Sequence, residues 1–254
     1  MELISTLEEL AADAWQPAEV ELLDGWRLRF CHGVTRRANS VLASGHDGTL
    51  SLEEKLARVE AFYAARGLPA RFQLSPVSQP SGLDQFLAAR GYGCVDRTDI
   101  QVASLPLPFQ RHSWRVEVSP SLPDPWWASY CAAECFSTEV AEVRRRILGR
   151  IQAVTGYAVA LTENAEPAAV GVGGVSGSWL GIFCMATRPE YRRKGAARAV
   201  LGALTEWGSG QGATDAYLQV FSENLAAITL YQALGFRTLY SYFLCERQPA
   251  GNPR

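Results

Sequence analysis

The sequence predicts a mixed α/β protein built from two similar halves, because helices and strands alternate in the same order in both. In the C-terminal half, helical periodicity over residues 195–212 is followed by a strand-like DAYLQVF, a helical LAAITLYQALGF and a β-rich LYSYFLCER. In the N-terminal half, SLEEKLARVEAFYAARG is helical, PARFQLS is strand-like, LDQFLAARGY is helical, and CVDRTDIQVA alternates as a strand. Both halves therefore have the order helix, strand, helix, strand.

The spacing of glycines supports a duplication. Gly67 and Gly91 end the two helices of the first half 24 positions apart, and Gly212 and Gly235 lie 23 positions apart in the second half. Each later glycine precedes an aromatic residue. One glycine after a helix is common, because the backbone there often turns left-handed. Agreement in order, spacing and aromatic residue together indicates two copies of one unit.

Prolines mark the predicted boundary between the halves. SLPLPF at 104–109 and SPSLPDP at 119–125 interrupt the periodic pattern. We therefore expect one domain over residues 1–110 and a second over residues 111–254.

Charge and cysteine content limit the possible partners. The formal net charge of −2 provides no general field that would attract nucleic acid or an anionic membrane, so an anion site must be made locally. The six cysteines show no CxxC pair and no zinc-ligand spacing, so no metal site is predicted. The N-terminus does not resemble a signal peptide. We expect a cytoplasmic protein with reduced thiols at positions 31, 94, 131, 135, 184 and 245.

An uncharged stretch at Pro167–Thr187 is long enough to span a bilayer, but it contains five glycines and a Ser-Gly-Ser turn signal. Two strands joined by a hairpin explain it better.

The segment at residues 179–207 has the layout of a phosphate-binding site. An apolar strand runs into a basic turn, RRKGAA, and then directly into a helix. Small residues let the backbone approach a ligand, and the first N–H groups of a helix lack intrahelical partners. Basic side chains and the helix dipole add positive potential. The basic residues concerned are Arg192, Arg193, Lys194 and Arg198.

These residues resemble the signature of the GCN5-related N-acetyltransferase (GNAT) family, in which Arg/Gln-x-x-Gly-x-Gly/Ala opens a helix. Arg192, Gly195 and Ala197 occupy the defining places. A second motif of the family, Asn-x-x-Ala-x-x-Leu-Tyr-x-x-x-Gly-Phe, is matched from Asn224 to Phe236. The resemblance covers about residues 114–247.

The resemblance implies the GNAT acyl-CoA fold, with two splayed strands that leave a cleft for acetyl-CoA as cosubstrate. The activity it implies is acetyl transfer to a primary amine of a small molecule or peptide. The implied cosubstrate-binding residues are Met185, Ala186, Thr187, Arg192, Arg193, Lys194, Gly195, Ala196, Ala197, Asn224, Ala227 and Tyr231.

The chemistry requires an amine freed of its proton and a proton for the departing thiolate. The resemblance implies that Tyr231 supplies that proton. The general base is open between Glu134, Glu223 and a chain of waters. Cys184 is interpreted as a core residue, and the run Arg144–Arg146 as a solvated helix face.

The first half carries an acidic turn, GHDGTLSLEEKL, where the second half carries its basic one. Asp47, Glu53 and Glu54 would repel phosphate, so we expect a degenerate N-terminal domain and one acetyl-CoA per chain. GWRLRFCHGVTRRANSV resembles the opening of certain bacterial tandem members of the family. The alternative function is a non-catalytic acetyl-CoA sensor that controls a partner. The acceptor and the oligomeric state are left open.

Overall fold

The computed structural model describes residues 1–45, 48–108 and 113–247, and the chain divides into two compact units. The first unit comprises Met1–Glu9, Trp15–Asp99 and residues 240–247, and the second comprises Leu10–Ala14 and Ile100–Leu239. The predicted boundary at residue 110 lies outside the described residues. Residues 240–247, which the sequence assigns to the second domain, group with the first unit.

The described chain contains helices and strands throughout. Up to residue 104 they are α1 (Glu2–Ala14), β1 (Glu19–Leu23), β2 (Trp26–Phe30), β3 (Val41–Leu42), α2 (Leu52–Ala64), β4 (Arg71–Leu74), α3 (Leu83–Ala88) and β5 (Tyr92–Ser104). The remaining elements are β6 (Arg115–Ser119), α4 (Asp124–Glu134), α5 (Thr138–Leu148), β7 (Val154–Leu161), β8 (Pro167–Ser176), β9 (Trp179–Thr187), α6 (Ala196–Gly210), β10 (Asp215–Phe221), α7 (Leu225–Gln232) and β11 (Arg237–Arg247).

Both units contain a mixed sheet. In the first unit the strand order is β1-β2-β3-β4-β11-β5, with β3 and β4 parallel and β4 and β11 antiparallel. In the second unit the order is β5-β10-β9-β8-β7-β6, with β9 and β10 parallel and the pairs from β9 to β6 antiparallel. The mixed α/β fold predicted from the sequence is confirmed.

The predicted repeat of helix, strand, helix and strand is present in the described chain. The first half carries it as α2, β4, α3 and β5, and the second as α6, β10, α7 and β11. All four glycines of the spacing pattern have positive φ angles, between 68° and 95°. Glycine adopts this region without the clash that Cβ causes in other residues, which explains the repeated punctuation.

The second unit has its own core, in which α6 packs on its sheet through fully buried side chains such as Val200 and Leu204. The stretch at residues 167–187 forms the predicted hairpin, β8 and β9, which pair from Ser176 and Trp179 up to Ala169 and Thr187. No helix within the described ranges is long and apolar enough to cross a membrane.

The prediction of six reduced thiols is wrong for two of them. Cys94 on β5 and Cys245 on β11 form a disulfide in the first unit. The two strands are neighbours in that sheet, which brings together cysteines that are 151 residues apart in sequence. No local spacing signals such a pair. Cys31, Cys131, Cys135 and Cys184 are not part of a disulfide.

This pairing predicts the outcome of thiol counting. The denatured, unreduced protein should react with a thiol reagent at four cysteines, and the reduced protein at six. Cys94→Ser should lower the free energy of unfolding by about 2–4 kcal/mol in urea titrations, because the cross-link restricts the unfolded chain. Cys31→Ser, at a buried free thiol, serves as the control for thiol number. Six reactive thiols before reduction would contradict the disulfide.

Candidate functional site

Among the residues that the structure describes, the turn between β9 and α6 leaves backbone N–H groups without a protein partner. Gly195 directly precedes α6 with a φ of 84°, and Arg193 has a φ of 63°. The first hydrogen bond of the helix runs from the N–H of Ala199 to the carbonyl oxygen of Gly195. In the part of the chain that the structure describes, the N–H groups of Gly195, Ala196 and Ala197 find no acceptor. Donors of this kind, together with the helix dipole, are suited to bind an anion.

Positive side chains surround this turn without being neutralised. Among the described residues, none of the four basic side chains of this turn makes an ion pair, whereas the nearby Glu190 pairs with Arg188. The Nε of Arg192 donates to the carbonyl oxygen of Thr187 at 3.3 Å, which anchors that side chain beside the end of β9. The four basic residues are Arg192, Arg193, Lys194 and Arg198.

The strands next to the turn separate. Parallel pairing of β9 and β10 runs from Trp179 and Asp215 up to Ile182 and Leu218, and both strands continue beyond that pair. The register between β8 and β9 shifts near Cys184, whose φ of 52° is left-handed. Such a bulge bends a strand and redirects the residues that follow. The ends of β9 and β10 therefore extend past their last pair on one side of the turn.

Helix α7 lies across the cleft from the end of β9. Asn224 caps it, with its side-chain oxygen accepting a hydrogen bond from the N–H of Ala227 at 3.2 Å. Tyr231 lies one turn further on, is 7% exposed, and packs against Phe236 with ring centroids 6.1 Å apart. Burial raises the pKa of Tyr231 to about 12. In the described chain its hydroxyl makes no hydrogen bond to a protein group, so it is available to a ligand.

These elements enclose a cleft of about 930 Å³ within the second unit. Its walls include every predicted cosubstrate-binding residue except Lys194, together with Glu134 at the C-terminal end of α4. Lys194 places its ammonium 5.7 Å from the ring centroid of Tyr191 instead. Glu223 is exposed and does not line the cleft. Of the two carboxylates considered as general base, only Glu134 faces it.

Part of the cleft lining was not predicted from the sequence. Tyr191 follows Pro189 in a short 3₁₀ turn, and no motif marks it. Arg198 was expected only as a source of positive potential. The other missed residues share the cleft-facing surface of α7 and its ends, and helical spacing from Ala227 and Tyr231 could have found several of them. They are Leu225, Ala226, Thr229, Leu230 and Ala233.

Contrary to the prediction, Arg144 does not lie on a solvated helix face. Its Nη1 donates to the hydroxyl oxygen of Tyr130 at 2.9 Å, and its guanidinium lies 4.3 Å from the ring centroid of Phe136. Tyr130 also hydrogen-bonds Cys184, and burial is the main cause that raises the pKa of Tyr130 well above its usual value. Cys184 therefore belongs to a polar cluster beside the bulge. The Arg144 guanidinium can be partly buried because the Phe136 ring and the Tyr130 hydroxyl compensate for its lost hydration.

The corresponding turn of the first unit is occupied by the chain's own carboxylate. Asp24 accepts hydrogen bonds from the N–H groups of Thr49 at 2.8 Å and Leu50 at 3.0 Å, just before α2. The ammonium of Lys55 lies 2.9 Å from the same carboxylate. The Lys55 hydrogen bond is the main cause that lowers the pKa of Asp24. Backbone donors that could face a phosphate therefore already hold an anion.

The first turn of α2 is capped internally as well. The N–H of Ser51 donates to the Glu54 carboxylate at 2.9 Å, and the Ser51 hydroxyl accepts from the N–H of Glu54 at 3.3 Å. Glu53 instead pairs with Arg90 at 2.8 Å. Asp47, the third predicted acidic residue, lies outside the described residues. Glu54 therefore takes part in a reciprocal capping box with Ser51, a role that was not predicted from the sequence.

Comparisons with known proteins agree with this geometry. The family described as "Probable histone acetyltransferase Rv0428c C-terminal" matches residues 2–243. The uncharacterized N-acetyltransferase YobR of Bacillus subtilis (strain 168) is 33% identical over 245 residues, which cover 93% of this chain and 95% of YobR.

Solved structures show the same fold. A GCN5-related N-acetyltransferase from Kribbella flavida aligns with a TM-score of 0.67 at 16% identity, covering 98% of this chain and 94% of its own. A tandem GNAT protein from the clavulanic acid biosynthesis pathway aligns with a TM-score of 0.61 at 14% identity, covering 78% and 70%. The family match and the similarity to YobR extend over nearly the whole chain. The chain therefore belongs to the GCN5-related N-acetyltransferase family and is an acetyltransferase.

Proposed function

We propose that the chain transfers the acetyl group of acetyl-CoA to a primary amine, using a single cosubstrate site in the second unit. The observation that carries the proposal is the start of α6. There, three backbone N–H groups that find no acceptor among the described residues meet three basic side chains of the cleft wall, Arg192, Arg193 and Arg198, with Lys194 beside them. A pyrophosphate matches this combination of directed donors and positive charge. The proposed domain assignment is a catalytic C-terminal domain and an N-terminal domain without a cosubstrate site.

The rest of the cleft suits the long, thin arm of a coenzyme A thioester. Met185, Ala186 and Thr187 form one wall and the residues of α7 the other. The β9 residues continue past the last β9–β10 pair, so their backbone groups are candidates to hydrogen-bond the arm as a neighbouring strand would. A volume of about 930 Å³ lies in the range of small-molecule sites.

Acetyl transfer in this cleft would proceed by direct attack in a ternary complex. The acceptor nitrogen forms a bond to the thioester carbonyl carbon, and the carbon–sulfur bond breaks with its electron pair going to sulfur. Tyr231 donates its hydroxyl proton to that sulfur, so coenzyme A leaves as a thiol. The attacking nitrogen loses one proton, for which Glu134 is the carboxylate on the cleft wall. The tyrosine is then reprotonated from solvent.

Burial suits Tyr231 to this role. Its pKa of about 12 means that the hydroxyl keeps its proton at neutral pH and is present as a donor in essentially every molecule. An apolar surrounding that includes Phe236 also strengthens a hydrogen bond to a developing thiolate, because little water competes for it.

The first unit is proposed to hold no acetyl-CoA. The N–H groups of Thr49 and Leu50 are already bonded to Asp24, and Ser51 and Glu54 cap each other. A phosphate at this turn would have to displace a carboxylate that is paired with Lys55. One acetyl-CoA per chain is the expected stoichiometry.

Calorimetric titration should give about one acetyl-CoA per wild-type chain and no measurable binding to Gly195→Glu. The substitution places a carboxylate at the proposed pyrophosphate site and forces a side chain into a φ of 84°. Gly210→Glu is the matched control, because it adds the same charge at the opposite end of α6, at an exposed position where a Cβ meets no atom within 4 Å. Equal binding by both variants would contradict the proposed site.

Tyr231→Phe should lower kcat by about a hundredfold, the range expected when a general acid is removed, while the Kd of acetyl-CoA changes little. The measurement is thiol release from acetyl-CoA over a panel of amine acceptors. Tyr92→Phe, which removes a hydroxyl that does not line the cleft, is the control. Unchanged kcat in Tyr231→Phe would exclude the acid role, and binding without thiol release for any acceptor would favour the sensor function.

The wild-type pH profile provides a further check on Tyr231. The protonated form is the active one, and its pKa is raised, so the loss of activity from its ionisation is displaced upward to about pH 12. We expect no alkaline decline with an apparent pKa near 10, the ordinary value for tyrosine. A decline near 10 that is absent in Tyr231→Phe would contradict the burial argument.

A further inference from the structure

Trp114, just before β6, donates a hydrogen bond to the basic turn between β9 and α6. Its indole Nε1 donates to the carbonyl oxygen of Lys194 at 2.8 Å, although the two residues are 80 positions apart in sequence. The indole does not line the cleft. We propose that Trp114 is a positioning residue, which keeps the peptide between Lys194 and Gly195 in the orientation that binds pyrophosphate. This inference rests on the proposed function.

The orientation follows from the planarity of the peptide bond. In a trans peptide the carbonyl and the N–H point in opposite directions. Because the Lys194 carbonyl is directed at Trp114, the N–H of Gly195 is directed away from the indole, and Gly195 itself lies on the cleft wall. That N–H is one of the three donors without an acceptor among the described residues.

Glycine makes this orientation easy to lose. Rotation of the peptide plane changes ψ of Lys194 and φ of Gly195, and glycine accepts φ angles of either sign. A rotated peptide would present a carbonyl oxygen to the phosphates in place of an N–H. Arg193, Lys194 and Gly195 are exposed, so the turn has little packing of its own to prevent rotation. The hydrogen bond from Trp114 opposes it.

The indole is itself held in place. It packs edge-on against Tyr191, with ring centroids 6.2 Å apart. The hydroxyl of Tyr191 donates to the carboxylate of Glu166 at 3.0 Å, directly before β8. Trp114 is half-buried and sits at the start of a strand that pairs with β7. The donor therefore comes from the sheet rather than from the turn that it fixes.

Trp114→Phe tests the inference, because it removes the N–H donor and keeps an aromatic ring beside Tyr191. Trp207→Phe is the matched control: it is the same substitution in α6, at an indole that packs near Gly156 and Gly173 and donates no hydrogen bond to any residue the structure describes. Titrations with acetyl-CoA, and displacement titrations with acetyl-pantetheine, which lacks the pyrophosphate, separate the two ends of the ligand.

We expect Trp114→Phe to raise the Kd of acetyl-CoA about five- to tenfold, the effect of one lost hydrogen bond, with the Kd of acetyl-pantetheine unchanged. Trp207→Phe should change neither. A wild-type-like Kd of acetyl-CoA in Trp114→Phe would overturn the inference, and so would an equal loss for both ligands, because that would indicate general damage to the cleft. Failure of the wild type to bind acetyl-CoA would overturn the proposed function and this inference together.

Discussion

Both units meet the same physical constraint: the first N–H groups of a helix cannot be satisfied within the helix. At α6 they face a cleft and are surrounded by basic side chains, and at α2 the preceding donors are bonded to Asp24. The same arrangement of helix and strand thus satisfies the N–H groups at the start of its helix in a different way in each unit. In the second unit a ligand is proposed to supply the missing partner, and in the first unit the chain provides it.

The residues around α6 divide into those proposed to bind the cosubstrate and those that maintain the shape of the turn. Gly195 permits the left-handed backbone that starts the helix, and Asn224 caps α7 on the opposite wall. Trp114 fixes a carbonyl that would otherwise be able to rotate. A positively charged turn has no internal attraction to keep it compact, so contacts from neighbouring elements have to supply its order.

Much of the fold and cleft was predictable because the relevant signals are local. Periodicity, glycine positions and two short motifs lie within stretches of about 20 residues, and they placed the helices, the strands and most of the cleft wall. What was missed depends on contacts between distant residues. The disulfide of Cys94 and Cys245, the bond from Trp114 to Lys194 and the Asp24 cap arise only once strands are ordered in a sheet. Arg144 was misjudged because its compensation comes from Tyr130 on another helix.

The most direct test of the central claim is a crystal structure of the acetyl-CoA complex. Pyrophosphate oxygens should lie within hydrogen-bonding distance of the N–H groups of Gly195, Ala196 and Ala197. The Lys194 carbonyl should still accept a hydrogen bond from Trp114, and the Asp24 carboxylate should still be bonded at the start of α2. Pyrophosphate bound away from α6, or a second acetyl-CoA at α2 in place of Asp24, would contradict it.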